Sequence, residues 1–313
     1  MIFYAVEKFM FNFGANYQKQ HLLLTYLITT RQMKKHYLTV LALAALAAAP
    51  AFGQARATSQ PEKLLEAPTG LMAPVWSPDG SKIAVTTDNY TGILVANADG
   101  SNFRALTMDA GTGYKMAWSA DGSAITGRAK SLDGAMIMHQ MRRYELAGGT
   151  TATTARLRTS AEPAAQSASG IYAAMVSDPA TAAAAIPALA EFAGKTVINP
   201  ALSPDGSAIA FQIPGKGMWV IGADGSGLRS LGKGSHPSWL PDSRTVVFTI
   251  VEDNGSAFTA STLMSMDTAT GVRATLFTAN GFLPMTPAVS PDGTKVAFEN
   301  AADACIYTIN IEN

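Results

Sequence analysis

The chain has 313 residues, of which 48% are hydrophobic and 15% charged, a balance that excludes a disordered protein and leaves enough apolar material for a large core. From Arg56 onward 18 Lys and Arg face 22 Asp and Glu, a net charge of −4, which excludes nucleic acid as an expected partner. The one cysteine, Cys305, rules out an internal disulfide and a lipid-bearing cysteine near the amino terminus, so stability has to come from packing and strand pairing.

At the amino terminus, Met33-Lys34-Lys35-His36 is a short basic stretch followed by an unbroken apolar run over residues 38–49. The run is shorter than the roughly 20 residues needed to cross a bilayer, and it ends at Pro50 with small-residue cleavage options after Gly53 and after Ala55. Residues 33–55 are therefore expected to be a secretory signal peptide, which implies a periplasmic or secreted protein with no stable membrane span after cleavage. Residues 1–32 precede a complete signal with its own Met33 and are taken as an upstream extension from a start codon set too early. A longer anchor that joins residues 22–28 to the later run is the rival reading, and Arg31, Lys34 and Lys35 interrupt it.

Beyond the signal a short pattern recurs: Trp76-Ser77-Pro78-Asp79-Gly80, Trp118-Ser119-Ala120-Asp121-Gly122, Leu202-Ser203-Pro204-Asp205-Gly206, Trp239-Leu240-Pro241-Asp242-Ser243 and Val289-Ser290-Pro291-Asp292-Gly293. Proline presets φ, aspartate bonds the local backbone and glycine takes the left-handed conformation, so each copy predicts a tight turn between antiparallel strands. An apolar strand follows each turn, as in Ile83-Ala84-Val85 and Val296-Ala297-Phe298, then a third strand (93–96, 218–221, 263–266, 306–309) and a fourth near Leu106, Leu231 or Leu276.

Successive turn aspartates lie 42, 84, 37 and 50 residues apart. The 84-residue gap is twice 42, which points to a hidden copy, best placed at Ser167-Ala168-Ser169-Gly170-Ile171-Tyr172-Ala173-Ala174. This third unit has lost its Trp, Pro and Asp. Its continuation over 181–193 is so rich in alanine that a short helix is the alternative, although Pro187 argues against a continuous one. Residues 61–313 thus divide into about six units of propeller-blade length. The expected fold is an all-β, six-bladed β-propeller with a degenerate third blade. The last unit stops after its third strand, so the segment Glu62-Lys63-Leu64-Leu65 is expected to pair into the last blade and close the ring.

The run from Ala73 to Thr107 through Trp76-Ser77-Pro78-Asp79-Gly80 and Ala98-Asp99-Gly100-Ser101 resembles the WD40-like repeat of TolB-like propellers. The resemblance covers nearly all of the mature chain. It implies a ring and a periplasmic protein-protein contact, without the separate α/β domain that precedes the TolB propeller. Similar blades occur in prolyl-oligopeptidase-like peptidases and some polysaccharide lyases, so the resemblance names no activity.

Catalytic residue types are sparse. The mature chain has two histidines, His139 and His236, and shows no metal-ligand spacing, no Gly-x-Ser-x-Gly nucleophile elbow and no room for an appended hydrolase domain. Gly194-Lys195-Thr196 resembles the end of a phosphate-binding loop, but Leu189 stands where the first glycine is required. The repeated Asp79, Asp121, Asp205, Asp242 and Asp292 have a complete explanation as turn residues, and Trp76, Trp118 and Trp239 as packing between blades. One column suggests recognition: six residues before each turn aspartate stand Ala73, Lys115, Asn199, His236 and Thr286. In a propeller these positions ring one mouth of the central channel, with Lys115, Asn199, His236 and Thr286 as candidate binding residues and a solvated rim as the plain alternative. His139, Arg142 and Arg143 form a second candidate, a basic loop patch. No catalytic residue, metal or cofactor is assigned. The expected function is a non-enzymatic scaffold for a protein or cell-envelope component; the alternative is a glycan-cleaving lyase or hydrolase at the channel mouth, with His236 and Lys115 the first residues to test.

Overall fold

The computed structural model describes residues 54–156, 158 and 170–313. Residues 54–313 form one compact unit. The expected upstream extension and the expected leader up to residue 53 lie outside the described residues, whereas Gln54 and Ala55, the last two residues of the predicted leader, belong to the folded unit.

Two short strands open the unit, β1 (Arg56–Ala57) and β2 (Glu62–Leu65). Blade one is β3 (Met72–Trp76), β4 (Lys82–Thr86), β5 (Ile93–Asn97) and β6 (Arg104–Thr107). Blade two is β7 (Ala117–Trp118), β8 (Ala124–Asp133), β9 (Met136–Glu145) and β10 (Thr150–Ala152). Two helices follow, α1 (Gly170–Ser177) and α2 (Ala182–Ala185), then a 3-10 segment, Pro187–Phe192. Blade three is β11 (Ile198–Leu202), β12 (Ala208–Ile213), β13 (Gly217–Gly222) and β14 (Arg229–Gly232). Blade four is β15 (Ser235–Trp239), β16 (Thr245–Asp253), β17 (Phe258–Asp267) and β18 (Arg273–Phe277). Blade five is β19 (Pro284–Val289), β20 (Lys295–Asn300) and β21 (Cys305–Glu312), and every blade is an antiparallel meander.

The amino-terminal strands complete blade five. Glu62 and Lys63 of β2 pair with Thr308 and Tyr307 of β21, and Arg56 of β1 pairs with Glu312 farther along the same edge. Ala55 is fully buried beside them, and its carbonyl accepts the Ser265 hydroxyl at 3.0 Å.

The six-bladed expectation is overturned: the described residues form five blades, and the third, degenerate blade is not a sheet. Of its proposed turn and strand, 167–169 lie outside the described residues, whereas 170–174 lie in α1. Alanine is the strongest helix former and is depleted in strands, so the alanine-rich stretch favours helix despite Ile171 and Val176, and Pro187 ends the regular helix by opening the 3-10 segment. Met175, Leu189 and Phe192 pack on Ile209, Phe211 and Ile221 of blade three, covering the face that a sheet would otherwise cover.

Repeated side-chain contacts join the blades. The indole N–H of Trp76 donates to the Ala288 carbonyl of blade five, that of Trp118 to Val75 of blade one and that of Trp239 to Ala201 of blade three, at 2.9–3.1 Å. Each acceptor lies four residues before its own turn aspartate, so one staple recurs at three boundaries. At the fourth, between blades four and five, the Val289 N–H bonds the Ser238 hydroxyl. The turns also lean on one another: a Cβ on Gly80 would sit 3.5 Å from Pro291, and one on Gly293 would sit 2.9 Å from Pro241. Where the helices replace a blade, both devices are missing. Leu202 stands in place of the tryptophan and is 39% exposed, and a Cβ on Gly206 would meet nothing.

Candidate functional site

In four of the five turns a serine and the aspartate share the work. The Ser77 hydroxyl donates to Asp79 at 2.6 Å and accepts the Lys82 N–H, while Asp79 accepts the Ser81 N–H. Asp121, Asp205 and Asp292 repeat the arrangement, and Asp242 accepts the Arg244 and Thr245 N–H groups. The serine hydroxyls, aided by the backbone donors, pull the carboxyls of Asp79, Asp121 and Asp205 down to about 2. Asp79, Asp121 and Asp292 are satisfied inside their own turns, whereas Asp242 also accepts the Asn313 amide at 2.8 Å and Asp205 also meets Ser243 of blade four.

The inner strands begin at the opposite end. There Ala73, Lys115, Asn199, His236 and Thr286 all have left-handed φ, between 43° and 54°. In four of the five blades the strand register shifts at this point, as between Ser235 and Ser238, so the column is a repeated β-bulge. The bulge turns a backbone N–H away from the ladder and toward a side chain of the neighbouring blade. The His236 N–H donates to Gln212 Oε1 at 2.9 Å, and the Ala73 N–H to Glu299 Oε2 at 2.8 Å. Gln212 also accepts the Asn199 amide at 2.6 Å, and Glu299 the Thr286 hydroxyl at 2.9 Å. Asn199 and Thr286 thus serve blade-to-blade bridges, and their polar character has a structural cause.

Gln212 and Glu299 were not singled out from the sequence, although both stand seven residues after a turn aspartate, as do Thr86, Arg128 and Thr249. That second column lies one strand outside the first. Burial raises the Glu299 pKa against its two donors.

Lys115 and His236 both belong to this column. Burial, and next the Lys115 ammonium, hold the His236 imidazole down to about 4, so the ring is neutral near pH 7. Its Nδ1 is buried and meets no hydrogen-bond partner among the described residues. The Tyr114 ring lies 5.6 Å from the Lys115 ammonium and 4.7 Å from the Arg128 guanidinium, and packs edge-on against Tyr90 at 5.0 Å. Neither tyrosine nor Arg128 belongs to the bulge column, which is why the column alone did not disclose them.

The loop patch divides. Arg142 pairs with Asp109 at 2.7 Å, beside the Tyr144 hydroxyl on the same carboxylate, and Arg143 pairs with Glu145. His139 instead faces Lys130, its cross-strand partner; burial, then Arg128 and Lys130, lower its pKa. It therefore belongs with the mouth and not with the two arginines.

The second strand of each blade returns toward the bulge end, so the connections to the third strands surround the mouth. Two are long arms. β8 and β9 of blade two have 10 residues each, and β16 and β17 of blade four have 9 and 10. Their ends carry Leu132 at 70%, Ile137 at 56% and Phe258 at 50% exposure. A cavity of about 500 Å³ opens beside the blade-four arm, lined by Asp253, Phe258 and Leu283 among others. Among the described residues no three His, Cys, Asp or Glu side chains gather as a metal site, and no helix is long and apolar enough to cross a membrane.

No protein-family model matches the chain, and no curated protein matches it. Among solved structures it is similar to TolB from Acinetobacter baumannii, with 14% identity over 80% of this chain and 57% of that one and a TM-score of 0.38. It is also similar to an oligogalacturonate lyase in complex with manganese (13%, 80% and 79%, 0.29) and to the tricorn protease (12%, 81% and 26%, 0.32). The chain therefore spans little more than half of the TolB chain and about a quarter of the tricorn protease chain. The five antiparallel meanders make the chain a β-propeller.

Proposed function

We propose that the protein is an exported binding platform that holds a protein or cell-envelope component on its bulge face and performs no chemistry of its own. The observation that carries this reading is the pair of arms. Leu132, Ile137 and Phe258 are large apolar side chains held in water at the ends of two long hairpins that rise on either side of one mouth. Keeping such groups exposed has a cost that a partner's surface would offset.

The rival reading, a glycan-cleaving enzyme at the mouth, requires an acid and a base that converge on substrate. Glu299, a carboxyl of the mouth, is committed to Ala73 and Thr286, and its burial leaves little room for a mobile proton carrier. Lys115 and His236 supply a cation and a neutral ring, a pair better suited to holding a ligand than to cleaving one.

Affinity capture from cell-envelope extract tests the proposal. Wild-type protein is expected to retain a defined partner that a Leu132→Asp, Ile137→Asp, Phe258→Asp variant loses. An unchanged partner set, or turnover of a glycan by the purified protein, would overturn it.

A further inference from the structure

Resting on that reading, we infer that the protein held by the arms is a second copy of this chain, the blade-two arm of each copy seating on the blade-four arm of the other. Both arms are ribbons that outrun their sheets. In blade two, β7 reaches β8 at Thr126 and β10 reaches β9 at Arg142, whereas β8 and β9 go on pairing to Asp133 and Met136. In blade four, β15 reaches Thr249 and β18 reaches Leu263, whereas β16 and β17 go on to Asp253 and Phe258. A two-stranded ribbon has little stability of its own in water, so these outer halves call for cover.

The two ribbon tips complement each other in shape and in charge. On blade two, Leu132 and Ile137 are direct cross-strand partners and form one apolar knob, with Lys130 two residues back on the same face. Over residues 129–140 this tip has one acid, Asp133, and one Lys or Arg, Lys130; the Arg156 guanidinium lies on the Ser131 hydroxyl at 3.1 Å and Arg158 lies on the Met136 sulfur, so three cations stand with one acid, a local net charge of +2. Blade four is the opposite. Over residues 250–262 it has two acids, Glu252 and Asp253, and no Lys, Arg or His, a local net charge of −2. Asp253 is the cross-strand partner of Phe258, and beside this pair opens the cavity of about 500 Å³ that Leu283 and Ala301 of the blade-five side also line. The Leu132 knob suits that cavity, with Lys130 set next to the two carboxylates. Within one chain the halves are kept apart by the ring, blade three on one side and blades five and one on the other. When two copies face each other mouth to mouth, a twofold axis lying across the mouth between the arms sets blade two of each on blade four of the other, so the contact is made twice and the assembly closes at a dimer. The chain itself carries both halves of the match, which singles out a second copy over a foreign partner.

The test is sedimentation equilibrium of the purified protein between about 1 and about 100 μM. Wild type is expected to form a dimer, which raising the salt from about 50 to about 500 mM should weaken several-fold. Leu132→Asp, at a position already 70% exposed, should leave a monomer. Lys130→Glu and Glu252→Lys, both at exposed strand positions, should each weaken the dimer by about tenfold or more, because either change sets like charges together at both contacts. Mixing the two variant chains, or combining both changes in one chain, should restore it, since acid and cation then oppose each other again at both contacts. A monomer at every concentration, a dimer that survives Leu132→Asp, or variants that do not rescue each other would overturn the inference. If wild type stays monomeric while its arms capture a different protein from envelope extract, or float with vesicles of phosphatidylethanolamine and phosphatidylglycerol, this inference falls alone; if nothing is captured, the platform reading falls with it.

Discussion

At the scale of the residue, one tryptophan does two jobs, since its ring fills a blade boundary and its N–H closes the neighbour's inner strand. Trp239 is 7% exposed and donates to Ala201. Trp239→Phe is expected to lose about 1 kcal/mol, for the hydrogen bond and its stranded carbonyl, and Trp239→Ala about 3–5 kcal/mol; urea denaturation measures both. His236 adds a pH dependence. Its pKa is about 4 in the fold against 6.5 as the ordinary value, so between those limits the unfolded chain binds the extra proton and stability falls as the pH falls. The full effect is about 3 kcal/mol. His236→Asn, which suits the left-handed φ of 54°, should remove that acid-sensitive part, visible as the wild-type minus variant difference in Tm between pH 6.5 and 4. His139 acts in the same direction, whereas the raised pKa of Glu299 favours the fold toward acid, so the difference between the two proteins isolates the histidine. These residues were legible to different degrees. The turn aspartates and tryptophans were plain because a fixed local geometry demands them. The bulge column was visible as a run of mostly polar residues, but its cause, a left-handed backbone, belongs to a pairing irregularity that single residue types do not encode.

At the scale of the element, the stretch between blades two and three explains why the blade count failed. Its length matches a blade, and length cannot distinguish a sheet from helices of equal span. Two signals in the sequence did mark the boundary, namely leucine at position 202 where tryptophan was due and the loss of the whole turn motif. Leu189 is fully buried and Phe192 meets the Trp219 ring edge-on at 4.7 Å, so the segment is part of the core of blade three. Leu189→Ala or Phe192→Ala is expected to cost about 3 kcal/mol, whereas a surface ornament would cost almost nothing; thermal unfolding distinguishes them. A second element-scale test concerns the connection that leads to Lys115. A Cβ on Gly113 would sit 1.9 Å from the Thr86 hydroxyl, which itself donates to the Gly92 carbonyl. Gly113→Ala should therefore destabilise by about 2 kcal/mol or more through overpacking, and should disturb ligand binding at the mouth more than the loss of stability alone explains.

At the scale of the whole molecule, the ends of the described chain meet in one sheet, with β2 against the first half of β21 and β1 against its last residues. That junction fixes where the proposed export signal can be cut. Cleavage after Gly53 keeps Ala55, which is fully buried and bonded to Ser265, whereas cleavage after Ala55 would discard it. Amino-terminal sequencing of the exported protein is expected to begin at Gln54. The junction also contains a reporter that nature left unpaired. Cys305 is buried at the start of β21, where the partner strand ends, and it is the one thiol of the chain. It is paired with Asn300 of β20 and buried, so a thiol reagent reaches it when β21 parts from its neighbours. The rate of its modification is thus a clock for how often the circle breathes, and occupancy of the mouth by a ligand should slow that clock if ligand and seam are mechanically coupled through Glu299 and Ala73.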